Sequence, residues 1–140
     1  MQTNRGLSGA RNGGSAAAQG DMNGLSDADD IREPEKLARH VAYHAGRPEV
    51  GISCAASAVI DDSGTLPGQA QRPQLTGITR VAVIKRNPIG NGSAAIIGRA
   101  VFASTACGAV HEQRRGWYFD ERLRQSEDIE CRMRIALEAE

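Results

Sequence analysis

The order of local patterns along the chain predicts an α/β domain with a mostly parallel central sheet and flanking helices. Two observations carry this. Short extended runs at 21–30, 50–60, 81–84 and 94–97 are interspersed with helix-like stretches at 4–19, 33–45 and 126–137. The joins between them are Gly-, Pro- and Asp-rich turns such as "DDSG" and "NPIGNGS".

In order, "NRGLSGARNGGSAAAQ" reads as a loop and then a small-residue helix, which needs packing to persist because Gly13 and Gly14 weaken it. Residues 21–30 read as a short strand and a loop. "EPEKLARHVAYHA" is the next helix, with Pro34 in its first turn and Leu37, Val41 and Ala45 as an apolar stripe at i, i+4, i+8. Val50–Ile60 alternates apolar and small residues as a half-buried strand does, and 64–79 is a long loop. "VAVI" at 81–84 is a second apolar run, "AAII" a strand, and "RAVFAST" the start of a helix or turn. Ser126 is placed to cap the last helix, with Glu127 and Asp128 in its first turn and Ile129, Met133, Ala136 and Leu137 on one face.

Composition narrows the function. The 17 basic and 17 acidic residues balance to zero, and the Arg-rich end is interleaved with acids, so no basic stripe points to nucleic acid. No apolar run approaches the roughly 20 residues of a membrane span, and the first residues lack a signal-peptide core. Cys54, Cys107 and Cys131 are sparse and unpaired in spacing, which reads as small buried thiols in a reducing compartment. His40 and His44 share an i, i+4 spacing suited to a metal, but no third ligand accompanies them, so a structural role is expected. Apolar content of 40% and only five aromatics leave the chain short of core.

The segment "DMNGLSDADDIREPEKL", 21–37, gathers four Asp, an Asn and two Glu. As a calcium loop it fails: counted from Asp21, the bidentate Glu position falls on Arg32, and counted from Asp27 it falls on Ala38. Within it, "DAD" places Asp27 and Asp29 two residues apart, where carboxylates leaving a strand converge on one side. Hard divalent cations bind such carboxylates together with substrate phosphates. Solvated or capping acids are the ordinary alternative.

Taken together, "NRGLSGARN", "DADD", "EPEKL", "NPIGNGSAAII" and "YFDERLRQSEDIECRMRIAL" occur in an order that resembles the family 2 glycosyltransferases, over roughly residues 4 to 137. The resemblance implies a GT-A, Rossmann-like domain. It also implies metal-assisted, inverting transfer of a sugar, of the hexosyltransferase type, from a nucleotide-sugar donor to a hydroxyl acceptor. The implied cofactor is Mn²⁺ or Mg²⁺. The implied partners are a UDP-sugar and a saccharide or lipid-linked saccharide, with no nucleic acid. The implied setting is cytoplasmic, with peripheral contact at the inner face of the cell membrane in polysaccharide biosynthesis.

Residue by residue, the resemblance puts Arg11 beside the donor, Asp29 on the metal, and Asp27 on the nucleotide ribose or the metal. Asp30 orients the loop. Asn91, Gly92 and Ser93 match the loop beside the donor sugar and acceptor, or else form a tight turn. Asp128, with Glu127 next to it, matches the general base, although Asp128 and Arg132 also have the spacing of a helix ion pair. In domain terms, 1–60 is the metal and donor side, 61–80 the long loop, and 81–140 the acceptor and base side.

The chain departs from the family pattern by lacking the usual first two strands, by carrying "DMNGLS" where an apolar strand is expected, and by ending near the "SED" helix. The expectation is therefore a truncated domain, weak or inactive, with an open sheet edge available for self-association. A non-catalytic remnant used for binding or scaffolding is the alternative.

Overall fold

The computed structural model describes residues 3–74, 79–104 and 118–138. Along the chain run α1 (Gly6–Ala17), β1 (Met22–Gly24), α2 (Lys36–Ala45), β2 (Ile52–Cys54), β3 (Ser57–Ala58), β4 (Ala70–Gln71), α3 (Arg80–Lys85), a 3₁₀ turn (Gly92–Ala94), β5 (Ala95–Gly98), α4 (Arg99–Ser104) and α5 (Glu127–Glu138). Strands β1, β5 and β2 form one sheet in that order. β3 and β4 form a separate antiparallel pair, with Ser57 opposite Gln71 and Ala58 opposite Ala70.

The α/β class holds, but the described residues form small sheets rather than the expected mostly parallel central one. Two runs expected to be extended explain the difference. The 50–60 run breaks between β2 and β3, where the Ala55 N–H donates to the Ala94 carbonyl at 3.1 Å. "VAVI" is helical: the Thr79 hydroxyl oxygen accepts from the Ala82 N–H at 3.2 Å and caps α3, so the local cap overrides β-branched propensity. Only Val83 of that run is buried, while Val81 and Ile84 face outward.

The expected apolar faces also shift. On α2, Leu37 and Val41 are 47% and 54% exposed, whereas His40 and His44 are buried. On α5, Cys131 and Ile135 are the buried apolar residues, and Leu137 is exposed. A periodic stripe identifies a face, but which face meets the core depends on where neighbouring elements stand. Pro34 lies in the turn just before α2 rather than in its first helical turn.

The chain separates into two compact units. One comprises residues 1–23 and 97–140, and the other 24–96. In the first, Phe102 stacks on Tyr118 with ring centroids 4.3 Å apart and tilts against Phe119 at 5.7 Å. Cys131 is buried there, and burial pushes its thiol up to about 12, so it is inert as a nucleophile. In the second, Ile89, Ala94 and Ala95 form a small core with Ile52 and Cys54 against it. At Gly24 in the same unit, a Cβ would lie 2.5 Å from the Ile96 Cδ1, so a larger residue there would push the tip of that side chain aside. Cys54 is half-buried, as expected, and Cys107 lies outside the described residues.

Candidate functional site

In the unit formed by 24–96, the "DADD" motif is a turn rather than a continuation of β1. β1 ends at Gly24, and the Asp30 N–H donates back to the Asp27 carbonyl at 3.2 Å. Strand alternation therefore does not set the relation of Asp27 to Asp29. What holds the turn is Ser93: its buried hydroxyl oxygen accepts from the Asp27 N–H at 2.8 Å. The Ser93 carbonyl in turn accepts from the Lys36 Nζ, the first residue of α2. Asp27 is half-buried, and Asp29 and Asp30 are exposed.

Lys36 is the residue that sequence reasoning missed. Its signal was its position, since a cation in the first turn of a helix opposes the helix dipole. Burial holds its amine below the ordinary lysine range, nearby Arg32 adds to that, and Asp30 works against it. An ammonium thus lies at the base of an acidic turn, held by the loop that the resemblance places beside the donor sugar and that otherwise reads as a tight turn.

That loop is itself braced. The Asn87 Nδ2 donates to the Gly90 carbonyl, and its Oδ1 accepts from the Ile89 N–H at 3.2 Å. Gly90 has φ +98, in the left-handed region, and a Cβ there would approach the Gln71 side chain at 3.0 Å. The Asn91 Nδ2 donates to the Ser57 hydroxyl at 3.0 Å, and Gly92 and Ser93 are buried in the 3₁₀ turn.

In the other unit, Arg11 projects from α1 and its Nη1 donates to the Glu127 Oε1. The two side chains are 8% and 4% exposed. The Arg11 guanidinium also lies 5.9 Å from the centroid of Phe119. Asn12, the next residue, is buried and ties α1 to 118–119. Its Oδ1 accepts from the Tyr118 and Phe119 N–H groups at 2.9 and 2.8 Å, and its Nδ2 donates to the Phe119 carbonyl at 2.9 Å. Asp128 and buried Arg132 form an i, i+4 ion pair at 2.8 Å. Ser126, just ahead of α5, has φ +62, and its carbonyl accepts from the Glu130 N–H at 3.0 Å.

The predicted residues thus fall into two sets. Asp27, Asp29, Asn91, Gly92 and Ser93 belong to one unit, with Asp27 and Ser93 directly bonded. Arg11, Glu127 and Asp128 belong to the other, where Arg11 and Glu127 hold each other. Among the described residues, no three His, Cys, Asp or Glu side chains gather to hold a metal by themselves. Two carboxylates in an open turn are still the donor set a hard divalent cation uses when phosphate oxygens and water complete its shell, so the residues fit that chemistry. No helix of the described residues is long and apolar enough to cross a membrane.

Comparison with curated proteins and with solved structures yields no match. The family model described as "Glycosyl transferase family 2" matches residues 1–106, which takes in α1, the "DADD" turn, the "NGS" loop and α4, and leaves α5 outside. With three quarters of its length matched, including the turn and loop that Ser93 joins, the chain belongs to glycosyl transferase family 2.

Proposed function

We propose that this chain transfers a sugar from a UDP-sugar to a hydroxyl acceptor with inversion, in the manner of a hexosyltransferase, with Mn²⁺ or Mg²⁺ bound at the "DADD" turn. The observation that carries this reading is the pinned acidic turn: Ser93 holds the Asp27 backbone, and Lys36 is held at the same serine. Asp29, exposed in the turn, is the metal ligand, and Asp27 contributes to the same cation or to the ribose. When bound, the cation offsets charge on the departing diphosphate. Lys36 supplies a second positive charge on that side.

By the family resemblance, and not by any geometry between the two units, Asp128 is assigned the proton of the acceptor hydroxyl. The acceptor oxygen forms a bond to the anomeric carbon while the bond from that carbon to the diphosphate oxygen breaks. The diphosphate leaves with the electron pair, and one displacement inverts the anomeric centre. Arg132, bonded to Asp128, orients the carboxylate.

A second reading, a non-catalytic binding or scaffolding module, has its own support: both acids of "SED" and Arg11 are engaged in ion pairs. Thermal shift tests the first reading. Wild type is expected to be stabilised by UDP with Mn²⁺, by about 2–3 kcal/mol at ligand near 100 times its Kd. Asp29→Ala should lose that gain. No nucleotide-linked stabilisation of the wild type would sink the donor assignment. Stabilisation without turnover on any acceptor would favour the binding module.

A further inference from the structure

The stretch expected to be a long loop supplies the return strand of a hairpin. β3 and β4 pair, and past them the Val59 N–H donates to the Gln69 carbonyl at 2.9 Å. The tip closes on Asp61. Its Oδ1 accepts from the Ser63 and Thr65 N–H groups, both at 2.9 Å, and its own N–H donates to the Thr65 carbonyl at 3.0 Å. An Asp side chain that bonds the backbone two residues on fixes a turn in the way a backbone bond would. This segment is therefore ordered enough to hold a neighbour in place.

The neighbour is the loop that carries Ser93. The Ala55 N–H donates to the Ala94 carbonyl at 3.1 Å, and the Ser57 Oγ accepts from the Asn91 Nδ2 at 3.0 Å. Those two bonds grip the buried 3₁₀ turn, Gly92–Ala94, at its two ends. The register sets Gln71 opposite Ser57, which puts both side chains on one face of the pair. The Gln71 side chain lies against Gly90, and farther along the Gln74 N–H donates to the Pro88 carbonyl at 2.8 Å. Between the two gripped ends, Ser93 takes the Asp27 N–H and offers its carbonyl to Lys36.

We propose that the β3–β4 hairpin is the positioning arm of the acidic turn, with Ser57 as its positioning residue. Ser57 fixes Asn91, the 3₁₀ turn carries that constraint on to Ser93, and Ser93 fixes the backbone of Asp27. A close-packed turn passes a displacement on because it has little free volume to absorb it. Asp29 is exposed, so the placing of its carboxylate depends on the backbone of the turn. Ligand oxygens held in place before binding spare the complex an ordering cost, so the arm raises affinity for a divalent cation with a nucleoside diphosphate. That gain in affinity rests on the donor-site reading; the coupling from Ser57 to Asp27 does not.

Amide exchange of the whole chain, followed residue by residue, tests the arm in wild type, Ser57→Ala and Ser57→Thr. Losing one neutral hydrogen bond changes an opening equilibrium about fivefold. In Ser57→Ala the Asp27 and Asp30 amides are expected to exchange about three- to fivefold faster, while that of Gly46, bonded at the far end of α2, stays within about 1.5-fold. Ser57→Thr keeps the hydroxyl and should restore the wild-type rates. Unchanged Asp27 and Asp30 exchange in Ser57→Ala, equal acceleration at Gly46, or no rescue by threonine would each overturn the proposal. Calorimetric titration with UDP and Mn²⁺ reads the consequence: Ser57→Ala should bind about threefold more weakly, and Ser57→Thr like wild type. Equal binding by wild type and Ser57→Ala would overturn the arm's role at the donor site. If wild type itself binds no UDP, the donor-site reading fails, and the exchange rates still decide the coupling.

Discussion

In the unit that carries α5, Glu127 and Asp128 lie against Arg11 and Arg132, and the first pair is almost wholly removed from water. In the unit that carries the "DADD" turn, Asp29 and Asp30 stand in solvent, and what is fixed is the backbone behind Asp27. Both motifs are short acidic runs leading toward a helix. They differ in what their surroundings are built to hold. A buried carboxylate needs its guanidinium, since an unpaired charge in the interior is strongly unfavourable. An exposed carboxylate on a pinned turn needs no partner, and its oxygens stay available to a cation or a ligand.

The sharpest way to break this contrast is to remove Arg11. Arg11→Met leaves Glu127 buried without its cation, and a loss of about 3–5 kcal/mol is expected in urea unfolding. A loss under about 1 kcal/mol would mean that the pair is as dispensable as a surface one. Asn12→Ala comes next. It strips partners from the Tyr118 and Phe119 N–H groups and from the Phe119 carbonyl, and should cost about 2–3 kcal/mol by the same measurement.

Ser93→Ala should cost about 1 kcal/mol, since it removes a single neutral hydrogen bond, to the Asp27 N–H. Its larger effect is expected on the acidic turn, seen as faster hydrogen exchange over residues 27–30 with α1 unchanged. The smallest change in stability belongs to Asp29→Asn, within about 0.5 kcal/mol of wild type because the side chain is exposed. A destabilisation near that of Arg11→Met would show that the turn is structural after all.

Much of the element order was legible from sequence. The small-residue helix at 6–17, the strand over "AAII", the helix starting at Arg99 and the one starting after Ser126 are all present. Hydrophobic spacing, helix-favouring acids and Gly-rich breaks are local signals, and these segments obey them. The "VAVI" run is the counter-example. Its β-branched residues suited a strand, and one threonine hydroxyl capping Ala82 belongs to a helix instead. The family was legible as well, from an order of motifs of which no single one is specific; four of the five lie within the matched residues, and the one at 118–137 lies outside them.

Sequence was a poor guide to burial and to pairing. The spacing of Leu37, Val41 and Ala45 was visible, and so was that of His40 and His44, four residues apart on the same helix. Which of the two would face inward was settled by Ser53, a residue on another element. Likewise no local signal announced that Arg11 would bond Glu127, 116 positions away.

By itself, then, the sequence determined most of the elements and their order, the family, and the position of an acidic turn. The tertiary structure alone decided which polar groups are consumed as structure. Arg11, Glu127, His40 and His44 are held by partners distant in sequence, while Asp29 remains exposed on its turn. The physical reason is desolvation. A charge or a ring nitrogen removed from water must find its partner in space, and nothing in local spacing specifies which distant residue that will be.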